Sequence, residues 1–458
     1  MPRLSHDQTA ITAKHRIDKQ IFALALPALG SLVAEPLFLL GDTVMVGHLG
    51  AANLAGLGVA ATVVTTVVGL TVFITFAITP LVAHNLGAGR FRDAAAASVT
   101  GLWAASALGL LFGLLIWLFA EPIVAWFLPD AGVGSGVTSF DAALSYLQIS
   151  CFGLPAMLIC FALTGALRGY QDTRTPLYVS TLAAILNIGI NWVLIYPLQL
   201  GIAGSALGTV IVQWLMVLTY LWFVAQRIRG TGARLTPRRD LLLKFGHSSG
   251  WLLLRTTGMR VVLVLSLAAI TLKGDEATAA YQIGNTVVTV AAFALDALAI
   301  AAQALIAKNL GAADPVTVRL VTNRCMHWGW ITGFVAAAIV LVVAWTCAPL
   351  FTSDASVQLL VALSLSIAAL GQPFAAAAFT LDGILIGAND VKYMGIFATL
   401  NVLVYTPIVL FFYLTPDARA ATAQLLWLLG TYNFWYMGLR VLPLWVRIRG
   451  TAWMRLPA

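Results

Sequence analysis

Long apolar segments separated by short polar breaks run along the whole chain. Marked off by those breaks, they cover residues 21–46, 53–84, 94–120, 138–168, 175–198, 203–226, 245–272, 277–307, 325–350, 357–387, 393–414 and 421–446. A membrane helix needs roughly 20 apolar residues, so the pattern predicts twelve spanning helices. Several segments are longer and are expected to tilt, bend or overrun the bilayer. The expected fold class is an all-α polytopic membrane protein.

Composition agrees with this pattern. The 458 residues are 60% hydrophobic and 10% charged, with a mean hydropathy of +0.92. Soluble domains carry about 25% charged residues. Gly-rich apolar runs of this length read as helices, not as the short alternating strands of an outer-membrane barrel. The N-terminal stretch lacks the early apolar core of a signal peptide, so the first apolar segment is expected to be a retained helix. Cys151, Cys160, Cys325 and Cys347 form no CxxC pair and read as small apolar fillers.

The formal net charge of +8 does not indicate nucleic acid as a partner. Nearly all of the 26 Lys and Arg residues fall on the side of the termini and alternate loops, with Arg440 counted to the C-terminal tail. Lys273 and Arg419 lie in the opposite loops, and Arg255 and Arg260 inside the seventh helix. This asymmetry predicts that both termini are cytoplasmic. The expected layout is an N-tail (1–20), an N-terminal lobe (21–228), a cytoplasmic loop (229–244), a C-terminal lobe (245–446) and a C-tail (447–458).

The chain repeats itself. PLVAHNLGAGR, from Pro80, matches ALIAKNLGAAD, from Ala304, pairing Asn85 with Asn309. GLPAMLICFALTGALRGYQDT matches GQPFAAAAFTLDGILIGANDV, pairing Pro155 with Pro373, Gly165 with Gly383, Gly169 with Gly387 and Asp172 with Asp390. Two parallel six-helix repeats follow, related by a pseudo-two-fold axis along the membrane normal. Internal repeats are a feature of transporters. The GxxxG spacings at Gly165–Gly169, Gly204–Gly208 and Gly383–Gly387 read as helix-packing surfaces.

Against this background a few polar residues stand out. Four carboxylates, Glu35, Asp42, Asp296 and Asp382, lie well inside helices. A charge at a membrane helix centre costs roughly 2.5–3.5 kcal/mol on insertion scales and marks a cavity or a partner. Glu35 and Asp42 are two turns apart, on one face of helix one, with Pro36 between them as a bend point. Asn187 and Asn191 share one face of helix five, and Thr209 and Gln213 one face of helix six. The repeat pairs Asp42 with Ser266, Asp296 with Val72 and Asp382 with Thr164, so the ionisable groups are not duplicated. Arg255 and Arg260 are candidate neutralising partners for Asp296 or Asp382.

Enzymatic chemistry is not expected. GHSSG at 246–250 matches the nucleophile elbow only formally, because no strand precedes it. No metal-ligand spacing or phosphate-binding glycine loop occurs, and no cofactor is implied.

The combined motifs, EPLFLLGDTVMVGHLG, the NLGA after helix two, LRGYQDTRTPL after helix four and LDGILIGAND after helix ten, resemble the MATE family of multidrug and toxic-compound extrusion transporters. ALDALAIAAQALIAKNLGA in helix eight and the LDG motif are similar to its DinF-like branch. The resemblance implies a bacterial inner-membrane antiporter that exports small amphipathic, often cationic, compounds in exchange for H+ or Na+ by alternating access. It also implies lipid as the immediate surroundings and a monomer. A helix-one aspartate carries the ion in DinF-like members, and Asp42 matches it. Tyr146, Thr164, Asn187, Asn191 and Thr209 fall at matching polar positions. Gln213, Asp296, Asp382 and Arg255 complete the set of cavity candidates. Some relatives carry a second aspartate at Asn191, so its absence leaves Asp42 as the single carrier. The NorM-like branch places acids on helices seven and ten, and helix seven has no glutamate here. The rival reading is a lipid-linked precursor or polysaccharide flippase of the same superfamily.

Overall fold

In a computed structural model the structure describes residues 6–128, 138–351, 354–415 and 421–454. Among them every regular element is a helix. Ten helices are long and apolar enough to cross a membrane, or eleven when one bent pair counts as a single span. The chain divides into two compact units, Gly30–Ser249 and Met1–Leu29 with Gly250–Ala458.

The first helix, α1 (His6–Gly47), contributes to both units. It runs without a break through Pro27 and Pro36. At 1.5 Å per residue its 42 residues reach about 63 Å, roughly twice a bilayer's hydrocarbon thickness. The remaining helices of the first-half unit are α2 (Ala51–Thr71), α3 (Phe73–Gly87), α4 (Phe91–Leu118), α5 (Ala120–Phe127), α6 (Ser139–Ser150), α7 (Leu154–Gly169), α8 (Arg174–Ile195) and α9 (Gly201–Ile228). The segment expected as one helix over 138–168 is bent by 46° between α6 and α7. Pro155, in the first turn of α7, explains the break, since proline supplies no amide hydrogen to continue α6. The buried core of this unit joins Leu57, Ala60, Val68, Ala143, Leu147, Leu154 and Ala206.

The helix α10 (Arg239–Thr271) passes from the first-half unit into the second at Gly250, and the second-half unit also holds α11 (Asp275–Gly311), α12 (Pro315–Thr346), α13 (Ala348–Phe351), α14 (Ala355–Gly387), α15 (Val391–Leu414), α16 (Ala421–Gly430) and α17 (Met437–Arg449). The helix α10 starts at Arg239, inside the stretch expected to be a loop to 244. The helix expected over 421–446 is interrupted by a π-helical turn at Thr431–Tyr436, between α16 and α17. Within the stretch expected as the N-tail, residues from His6 onward are helical and continuous with the first apolar segment. Asp18 accepts two hydrogen bonds from Arg324, at 2.7 and 2.6 Å, and one from the Trp328 indole at 2.9 Å. Phe22 packs edge-on against the same Trp328 ring.

The repeat extends to backbone geometry. Gly50 and Gly274, at repeat-equivalent positions, both have φ of 107°. Gln171 and Asn389 both enter the left-handed region, at 64° and 56°. Asn85 and Asn309 both close onto the carbonyl four residues back, each at 2.8 Å. Arg227 pairs with Asp172 at 3.1 Å and Arg447 with Asp390 at 2.7 Å. The glycine pairs act alike. A Cβ at Gly169 would stand 3.0 Å from the Thr79 carbonyl oxygen, and one at Gly387 2.6 Å from that of Gln303. Glycine is what lets α7 lie against α3, and α14 against α11.

Candidate functional site

The site is built where α1, α8 and α9 meet. Asp42 on α1 is 2% exposed. Its Oδ1 accepts from the Asn191 side-chain amide on α8. Its Oδ2 accepts from the Thr209 hydroxyl on α9 at 3.2 Å. Thr209 in turn accepts from the Asn187 amide at 3.2 Å, and Asn191 donates to the Asn187 side-chain oxygen at 3.3 Å. Asn187 and Asn191 are fully buried. The i, i+4 spacing on α8 places both amides on one face, so one helix offers two donors to one carboxylate and its hydroxyl neighbour.

Ser205, one turn before Thr209 on α9, also faces the carboxylate. The sequence reading missed it. Its signal was the run Ser205, Thr209, Gln213 at successive turns of α9, of which only the last two had been singled out. Tyr146 on α6 is buried beside the same group. Gly208 lets α8 and α9 come together here: a Cβ at that position would strike the Asn191 side-chain oxygen.

The other candidates lie elsewhere. Thr164 turns its hydroxyl to the Cys160 carbonyl of its own helix, at 2.7 Å. Gln213 is half-buried with its Oε1 against Gly153, at the break between α6 and α7. The Glu35 side chain lies outside the described residues. Pro36 lies in unbroken α1 and cannot donate to the Leu32 carbonyl one turn back.

In the second-half unit Asp296 is half-buried on α11. Asp382 on α14 is buried and forms ion pairs with Arg255 on α10 and Arg440 on α17. Arg440 is a correction to the sequence reading, which had counted it to the cytoplasmic tail. Ser266, the repeat partner of Asp42, lines a separate cavity of about 240 Å³ together with Tyr281, Asn285, Gln372, Tyr432 and Asn433. The register that pairs Asp172 with Asp390 pairs Asn187 with Tyr405 and Asn191 with Val409. The second half therefore lacks the acid and both amides at the equivalent positions.

What the Asp42 cluster can do follows from its donors. They are neutral, so the carboxylate's charge is stabilised by hydrogen bonds and is not cancelled. The Asn191 side-chain oxygen is buried without a hydrogen-bond partner. It is an acceptor that a protonated acid could use. All four cysteines are free, and among the described residues no group of three or more His, Cys, Asp or Glu side chains could hold a metal ion.

The family model described as MatE matches twice, over residues 27–193 and 256–411, once in each half. The chain is 31% identical over 420 residues to Protein DETOXIFICATION 44, chloroplastic, of Arabidopsis thaliana, covering 88% of this chain and 79% of that protein. It is 28% identical over 386 residues to DNA damage-inducible protein F of Escherichia coli, covering 82% of each. Its fold is similar to that of the Vibrio cholerae MATE transporter VcmN in the bent form, with a TM-score of 0.83 at 18% identity, over 97% of this chain and 100% of that one. The chain belongs to the MATE family of membrane-spanning multidrug and toxin efflux transporters, proteins that move solutes and are not enzymes.

Proposed function

We propose that this protein is a proton-coupled antiporter that exports small amphipathic or cationic compounds, with Asp42 as the proton-carrying group. The observation that carries the reading is a buried carboxylate held by neutral donors alone among its hydrogen-bond partners, next to a buried acceptor with no partner of its own.

Ionised, Asp42 accepts from Asn191 and Thr209. This ties α1 to α8 and α9 and presents a negative charge to a cationic solute. Protonated, Asp42 becomes a donor at one oxygen. Rotation of the Asn191 amide then offers Oδ1 to that proton. The Thr209 hydroxyl can likewise reverse, because its oxygen already serves as an acceptor. In each protonation state Asp42 keeps a hydrogen-bond partner at both oxygens, and the two states differ by one charge. That difference supplies the unequal affinity for a cation that any switch between states requires. Pro36, less than two turns before Asp42, is where α1 bends once its attachment loosens. We propose a location in a bacterial plasma membrane, and the Lys and Arg distribution supports an orientation with both termini cytoplasmic.

Efflux from proteoliposomes tests this reading. Ethidium, a lipophilic cation, should move uphill when a pH gradient is imposed, and should not when only a Na+ gradient is imposed. Asp42→Asn should abolish the proton-driven movement while the protein still reconstitutes. Undiminished proton-driven efflux by that variant would sink the proposal.

A further inference from the structure

The ion cluster of the second-half unit does not balance. Asp382 accepts from both Arg255 and Arg440 on the same oxygen, Oδ2. Their side chains are 11%, 8% and 6% exposed for Arg255, Arg440 and Asp382. Two guanidinium groups face one carboxylate, which leaves one positive charge buried. Arginine does not give up its proton in proteins, so the cluster cannot shed that charge. A buried unpaired charge is among the costliest features a fold can carry.

The surplus has a definite place. Arg440 Nη1 is buried and has no hydrogen-bond partner. One side of its guanidinium is covered by the Phe379 ring, 5.5 Å away. Next to the cluster is a small void of about 20 Å³, lined by Arg255, Asp382 and Arg440 with apolar Met394, Phe397 and Leu444. That volume admits one occupant of water or halide size. Among the described residues no second carboxylate lines it. The π-helical turn Thr431–Tyr436 precedes Arg440 by one helical turn. Such turns shift the register of a helix and occur frequently at functional sites. Here it sets the direction in which α17 presents Arg440.

We propose that Arg440 and Arg255, with Asp382 bridging them, form a binding site for a small monovalent anion of halide class, filled by chloride in the working protein. A chloride ion there would lie among Arg255, Asp382 and Arg440 and neutralise the cluster. A carboxylate carried by a solute offers the same chemistry in a larger volume. The proposal stands independently of proton coupling at Asp42.

The test is thermal unfolding of the purified, detergent-solubilised protein in sodium chloride against sodium gluconate at matched ionic strength. Chloride should raise the midpoint and saturate, and bromide should do the same. Arg440→Gln should abolish the effect. Asp382→Asn removes the competing negative charge and should lower the chloride concentration needed by tenfold or so. Should Arg440→Gln fail to fold, crystals of the unaltered protein grown in bromide decide. They should show an anomalous peak beside Arg440. Equal midpoints in chloride and gluconate at every concentration would overturn the proposal, as would a chloride effect that survives Arg440→Gln, or a water in place of bromide. Acetate that competes with chloride would assign the site to carboxylates. Failure to compete would confine it to halides.

Discussion

Protonating Asp42 changes what each neighbour must do, and this makes single substitutions informative. Asp42→Asn keeps the shape but fixes one permanently neutral state, so proton-driven efflux should be lost, because no protonation step remains to separate the two affinities. Asn191→Asp is sharper. It replaces a donor touching Asp42 with a second carboxylate. Two acids in contact cannot both ionise without a cation between them. The variant should become measurably more heat-stable in Na+ than in a large organic cation, while the unaltered protein shows no such difference. Equal stability of the variant in both salts would argue that Asn191 does not border the ion's position. Asp42, Asn187 and Asn191 were legible in the sequence because each interrupts an apolar helix, where a polar group must have a reason. Ser205 was not, since small hydroxyl residues also serve as ordinary packing surfaces of membrane helices. Arg440 was hidden because it lies in the last helix just ahead of Arg447 and Arg449, which read as a tail. Its acidic partner, Asp382, is on a different helix.

At the level of elements, the glycine seams and the helix caps carry separable contributions. Gly387→Ala would bring a methyl group to 2.6 Å from the Gln303 carbonyl oxygen, and backbone cannot yield as a side chain can. Overpacking of this kind costs about 1–3 kcal/mol, read as a lower unfolding midpoint in detergent. Gly438→Ala, with open space around it, is the control and should be close to neutral. Asp314 caps α12, its side chain accepting from the Thr317 amide at 2.9 Å. The hydrogen bonds from Thr317 hold its carboxyl below the usual carboxylate range. With a lowered value in the folded protein, this stabilisation is present above the ordinary carboxylate pKa and is lost as pH falls through the folded one. Asp314→Ala should therefore lower stability by about 0.5–2 kcal/mol near neutral pH, and the difference from the unaltered protein should shrink in acid. Hydrophobic spacing located nearly every helix but not the bend between α6 and α7 or the π turn after α16. Apolarity measures depth in a bilayer and is the same on both sides of a bend. The local signals, Pro155 and Gly153, are weak because both residues also occur in straight membrane helices.

Across the whole molecule, each half keeps the shared scaffold and charges a different part of it. Where the first half has Asp42, Asn187 and Asn191, the second has Ser266, Tyr405 and Val409. Where the second has Asp382 and Arg440, the first has Thr164 and, in the register that pairs Arg227 with Arg447, Tyr220. The scaffold was readable from repeated motifs because packing glycines and turn residues tolerate few replacements. The division of charge was readable only for the acids, whose repeat partners could be aligned one by one. On the proposed reading, proton coupling needs the whole cluster around Asp42 and not merely a buried acid. Ser266→Asp combined with Asp42→Asn tests this. The double variant restores one acid at the repeat-equivalent position, but Tyr405 and Val409 stand where the donating amides would be. Proton-driven ethidium efflux should stay at the level of Asp42→Asn alone. If it returned, any buried acid in either half would suffice, and the donors gathered on α8 and α9 would be packing rather than part of the proton carrier.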